Sequence, residues 1–76
     1  MFTLTRVISK GRENAEKVMG VYKTLKDAQT AMNFFARRDF YLHGKYDTHE
    51  TYATAFRAYD RGAYKYGAYD LYIEEA

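Results

Sequence analysis

The densest run of side chains able to do chemistry is RAYDRGAYKYG, residues 57–67. There Arg57, Tyr59, Arg61, Tyr64, Lys65 and Tyr66 interleave cations with aromatic rings. Tyrosine rings stack on bases and Arg or Lys pairs with phosphates, so the run suits a nucleic acid or nucleotide. The same residue types anchor protein–protein contacts, where Tyr and Arg are over-represented among the side chains that carry the binding energy. Asp60 and Asp70 repel phosphate and weigh toward a protein partner. A structural reading stands beside both, with Tyr59 in the core and the other tyrosines coating the rim of a sheet. A second candidate lies in FFARR, where Phe34 stands beside Arg37 and Arg38.

Catalytic constellations are sparse. Ser9 is the only serine, and no histidine or carboxylate neighbours it in sequence. His43 and His49, with Asp47 and Glu50, raise the question of a divalent metal, but H-x5-H matches no established ligand spacing. A polar turn with helix-capping carboxylates accounts for the same four residues. Glu74 and Glu75 read as a solvated tail rather than an acid–base pair, which would need a cleft. Gly11 and Gly20 sit in the wrong context for a phosphate-binding loop. The chain has no cysteine, which removes disulfides, thiolate metal sites and a cysteine nucleophile. A non-enzymatic protein with no cofactor and no metal is the expectation.

Composition bounds the rest. Seventy-six residues with 47% apolar content make one small folded domain, residues 1–76, with a stability on the order of 4–11 kcal/mol. No apolar run approaches the ~20 residues a membrane-spanning helix needs, and no signal peptide is read at the start. With the absence of cysteine this fits a cytoplasmic protein. Net charge is +2, but residues 1–46 carry nine Lys/Arg against four Asp/Glu, while residues 47–76 carry three against six. A basic half joined to an acidic half either complements itself within the chain or favours self-association; with nine tyrosines, a homodimer is the second of these expectations.

The elements that would position these residues are organised around Thr24 to Gly44. Thr24 is a good N-cap, and Asp27 three residues on completes a short-armed capping box and suits the positive end of the helix dipole. Leu25, Ala28, Ala31, Met32, Phe35 and Ala36 share one side of a helix; Lys26, Thr30, Asn33 and Arg37 share the other. Gly44 supplies the stop. Phe34 falls outside the stripe, pointing away from the core between Asp27 and Arg38. Asp27 and Asp39 interrupt the cations of the polar face, and the alanines of the apolar face are poor anchors, so a membrane surface is not the expected partner.

Before this helix, residues 1–9 and 17–23 read as strands of a hairpin, with Gly20 marking a bulge or a close approach. Arg6 is the exception on the face shared by Phe2, Leu4 and Ile8. After it, Thr48–Arg61 presents Tyr52, Ala55, Phe56 and Tyr59 on one side of a second helix, capped by Asp47 and Glu50 and stopped by Gly62. That helix would project Arg57 and Arg61 together. Residues 68–74 alternate as a last strand. The expected fold is α+β: a small antiparallel-based sheet with two helices on one face, in the order β-β-α-α-β.

The strand running directly into a capped helix, GVYKTLKDAQTAM, and the Tyr-rich, cysteine-free remainder resemble the small single-domain proteins that bacteriophages encode to block host defence, anti-CRISPR proteins among them. The likeness covers the whole chain in size and style, and no functional residue is carried over from it. It implies an inhibitor that covers the working surface of a protein or ribonucleoprotein complex, or sequesters its ligand. The alternative is a nucleic-acid or nucleotide binder using the Tyr/Arg cluster.

Overall fold

Threonine, valine and isoleucine in alternation commit the start of the chain to an extended conformation, because branched side chains pack well on a pleated surface. In the computed structural model, which describes residues 1–10, 13–43, 47–59 and 66–75, β1 runs Phe2–Lys10 and β2 runs Glu13–Tyr22. The two strands pair antiparallel from Phe2 opposite Tyr22 to Lys10 opposite Glu13. The hairpin is therefore longer, and its loop shorter, than the polar run of residues 10–16 suggests.

The register slips once, between Leu4 and Thr5: Leu4 faces Gly20 while Thr5 faces Val18, so Met19 is the extra residue of a bulge. Gly20 is there for space. A Cβ at that position would lie 2.6 Å from the Tyr22 hydroxyl oxygen and 2.9 Å from the ring, so its absence lets the Tyr22 ring lie close over the strand.

The helix α1, Leu25–His43, begins where its cap says it should. The Asp27 backbone N–H donates to Thr24 Oγ1 at 3.1 Å, and the Ala28 N–H donates to the Thr24 carbonyl at 3.2 Å. Ala28, Met32 and Ala36 are buried against the sheet, and Phe35 packs beside them. Small residues at two of these positions let the helix axis approach the strands closely.

The second helix expected over Thr48–Arg61 is not formed. In its place are two strands, β3 (Thr48–Thr51) and β4 (Ala55–Tyr59), and the element order is β-β-α-β-β-β. The physical reason is visible in β4. Phe56 and Ala58 are buried while Arg57 between them is exposed, the period of a strand. Tyr52, placed on the apolar side of the supposed helix, is 57% exposed. The Tyr52 N–H donates to the Ala55 carbonyl at 2.7 Å and closes a tight turn. β4 then pairs with β5 (Tyr66–Glu75), whose free edge would otherwise expose its backbone groups.

The result is one five-stranded antiparallel sheet in the order β2-β1-β5-β4-β3, with one helix across one face. α1 leaves the β2 edge, packs over β1, β2, β4 and β5, and delivers the chain to β3 at the opposite edge. The core lies between the layers. Leu4, Met32 and Leu71 are fully buried there, and each such side chain contributes about 1.5–3 kcal/mol. Phe56 meets Tyr69 edge-on with ring centroids 6.3 Å apart.

Asp39 departs from the expectation that it interrupts the cations of the polar face. It is 6% exposed and sits under the helix. Arg6, the misfit of β1, lies on the same covered face and approaches Asp39 Oδ2 to 3.9 Å, while Arg38 Nε stands 3.2 Å from Oδ1. The Tyr69 hydroxyl donates to Oδ2 from β5. A buried carboxylate is tolerable only when paired and hydrogen-bonded, and these three side chains supply that. Arg6 Nε is buried without a hydrogen-bond partner among the described residues.

Candidate functional site

Strand alternation leaves the far face of the sheet without a helix, and the register sets its composition. One row crosses all five strands: Glu16, Val7, Asp70, Arg57 and Glu50 stand side by side from β2 to β3. The next row is Val18, Thr5, Tyr72 and Ala55. Polar contacts knit these residues together. Arg57 Nε lies 3.4 Å from Asp70 Oδ1, and its guanidinium carbon sits 5.6 Å from the centre of the Tyr59 ring. Glu50 accepts from the Tyr52 hydroxyl at 2.6 Å and from the Tyr59 hydroxyl at 3.2 Å. The Tyr72 hydroxyl donates to Glu16 at 3.1 Å.

The ionisation of the open face follows from these contacts. The hydrogen bond from Tyr52 holds the Glu50 carboxyl below its ordinary value, and the same bond pushes the Tyr52 phenol up. Burial among its neighbours pushes the Asp70 carboxyl up, against the opposing pull of Arg57. Burial first, and then Glu16, pushes the Tyr72 phenol up. The face is acidic at neutral pH: Glu16, Glu50, Asp70 and Glu74 are set against Arg57 alone among the described residues.

The outward side of α1 has the opposite character. Lys26, Arg37 and Arg38 are exposed there, with Asp27 near the N-terminus. Phe34 is 61% exposed in the middle of the helix. Its ring meets Phe35 edge-on at 5.5 Å, and the Arg38 guanidinium carbon lies 4.9 Å from the centre of the Phe35 ring. The apolar anchor therefore has an aromatic base and a cation against that base.

The residues singled out in the sequence thus separate onto two opposite surfaces. Phe34, Arg37 and Arg38 share the helix side. Arg57 is on the open sheet face, on a strand rather than a helix. Tyr66 opens β5 opposite Lys10. Arg61, Tyr64 and Lys65 lie outside the described residues. Tyr59, half-buried, belongs to the open face rather than the core. Tyr52, Tyr72, Glu16 and Glu50 were not singled out for binding; only the alternation of β5, which puts Asp70, Tyr72 and Glu74 on one face, hints at part of this set.

Of the four residues considered for a metal, His49 stacks on Phe56 at 6.1 Å, Asp47 accepts from the Thr48 hydroxyl at 2.8 Å, and Glu50 accepts from two tyrosines. The His43 side chain lies outside the described residues. Among the described residues, no cluster of three or more His, Asp or Glu converges to hold a metal ion, and no helix is long and apolar enough to cross a membrane.

The fold and these surfaces define a small α+β protein with one helix on one face of an antiparallel sheet. No protein-family model, no curated protein and no solved structure matches the chain.

Proposed function

We propose that this chain is a non-enzymatic binding protein that engages a macromolecular partner, a protein or ribonucleoprotein complex, through the outward side of α1. The observation that carries the reading is Phe34, 61% exposed at mid-helix with Arg37 and Arg38 within one turn. Aromatic residues and arginine are both enriched at protein interfaces relative to the rest of the surface. The ring adds little to the core from where it stands, whereas docking it would remove its area from water at about 25 cal/mol per Å². Arg57 is held by Asp70 and the Tyr59 ring, and Arg38 likewise by Asp39 and the Phe35 ring, so Phe34 and Arg37 carry the reading. A chain this small acts by covering a partner's working surface, the inhibitory mode that the resemblance to phage anti-defence proteins implies.

The test uses the full chain with a photo-crosslinking residue at position 34, followed by titration of whatever is captured. Phe34→Ala and Arg37→Ala should each weaken that complex about tenfold, some 1.4 kcal/mol, with the melting temperature unchanged. Unchanged affinity in both variants removes the helix side from consideration. Capture of nucleic acid, with affinity falling steeply as salt rises, moves the function to the nucleic-acid or nucleotide alternative.

A further inference from the structure

The two outward surfaces belong to the same chain and are opposite in charge. On the sheet's open face the exposed apolar side chains are Val18 and Val21, 59% and 54% exposed, beside Thr3, Thr5 and Tyr72. Glu16 and Glu74 flank them, in the next row and across β1. On the helix side the exposed apolar side chains are Phe34 and, in the first turn, Leu25; Arg37 and Arg38 stand within one turn of Phe34, Lys26 lies two turns back, and Asp27 is the exposed carboxylate of α1 among the described residues. An apolar centre with a charged rim is the pattern of an association surface, and here each rim complements the other.

Dimensions agree as well. The helix has 19 residues and so is about 28 Å long, and five strands spaced about 4.8 Å apart span about 19 Å. The helix is longer than the sheet is wide, but β1, β2 and β5, of nine or ten residues, run about 30–34 Å, so a helix laid along them is supported over its length. Like-with-like contacts fail on charge. Sheet on sheet sets Glu16, Asp70 and Glu74 against themselves, and helix on helix does the same to Lys26 and Arg37.

From this complementarity we infer that the partner of the helix side is the open sheet face of a second copy of this chain, in a head-to-tail contact. The inference rests on the reading that the helix side is a binding surface. It also differs from a two-fold dimer. A contact between two different faces leaves one of each unoccupied, so copies can continue to add. A contact limited to one helix face is small and exchanges readily, and its charged rim makes it weaken with salt.

Sedimentation of the full chain tests this. Weight-average mass should rise with concentration at low salt, and the rise should shrink at about 0.3 M salt, where surface charges are screened over a few ångströms. Phe34→Glu with Arg37→Glu disables the helix side; Glu16→Lys with Glu74→Lys disables the sheet face. Circular dichroism first establishes that each variant is folded, and single substitutions replace any pair that is not. Each variant alone should stay at one chain mass. Mixed in equal amounts they should associate again, because the intact sheet face of one meets the intact helix side of the other. A wild-type chain that stays monomeric throughout overturns the inference, and crosslinking of another macromolecule at position 34 would then leave the helix-side reading standing. Association that the helix-side substitutions leave unchanged overturns the head-to-tail contact, while the helix-side reading falls only if Phe34→Ala and Arg37→Ala also leave the complex crosslinked at position 34 unchanged. Variants that fail to restore association when mixed overturn the head-to-tail contact.

Discussion

The two faces of β5 carry the same interaction in two settings. On the covered face the Tyr69 hydroxyl donates to Asp39; on the open face the Tyr72 hydroxyl donates to Glu16. Both join a strand tyrosine to a carboxylate on another element. Yet Asp39 is buried beneath the helix with two arginines, while Glu16 stands in solvent on the outer strand. Burial decides what each contact contributes. A buried acceptor left without its donor loses water's compensation as well, whereas an exposed one simply rehydrates. The covered face is thus where the fold is held, and the open face is where residues can change without unfolding the chain.

Leu71, between the two tyrosines and fully buried, sets the upper end of this contrast. Leu71→Ala should cost about 2–5 kcal/mol, most or all of so small a domain's stability, read by denaturant titration. A loss below about 1 kcal/mol would mean that the helix does not seal the core.

Tyr69→Phe keeps the ring and removes only the donor to Asp39. A loss of about 1–3 kcal/mol is expected. Burial, then the bond to Asp39, pushes the Tyr69 phenol well above its ordinary value of 10.0. A raised folded value means that the neutral form is favoured in the folded state. Its stabilisation is therefore fully present below pH 10 and is lost as pH rises beyond it. Ultraviolet titration of the folded protein should show a tyrosine that ionises later than the modestly raised Tyr52 and Tyr72, and Tyr69→Phe should abolish that last step. Titration of every tyrosine in the ordinary range would place Tyr69 in water.

On the open face the effects should be small. Tyr72→Phe and Arg57→Ala should each change stability by roughly 0.5 kcal/mol or less, because exposed pairs are screened and mobile. Arg57→Ala has a finer signature. Burial already raises the Asp70 carboxyl and Arg57 opposes it, so the variant should raise it further. Asp70's contribution to stability is present below its unfolded value and lost as pH rises through the folded one, so the variant should lose more over that window. An Asp70 titration identical in the two proteins would deny the ion pair its role.

Much of the fold was legible where local chemistry governs. The Thr24 cap, the apolar stripe of α1 and the outward Phe34 follow from backbone donors and a 3.6-residue period. The alternation of residues 68–74 and the break at Gly20 follow from the strand period. The segment 48–59 was not legible in this way. Its tyrosines, threonines and alanines satisfy a helical stripe and a pair of short strands about equally. The deciding interaction is pairing with β5, which comes later in the chain. The candidate surfaces divide likewise: Phe34, Arg37 and Arg38 were grouped by sequence, whereas the grouping of Glu16, Asp70, Arg57 and Glu50 required the register of five strands.

By itself the sequence determined which segments could cap, turn and alternate, because those choices rest on contacts within a few residues. It also placed Arg6 as a misfit on an apolar face and Asp39 among cations, without joining them. The tertiary structure decided that pairing, the burial of Asp39 and the strand identity of residues 48–59. Each depends on which distant element supplies the missing partner. A buried charge or an unpaired strand edge is costly until the rest of the chain arrives to satisfy it.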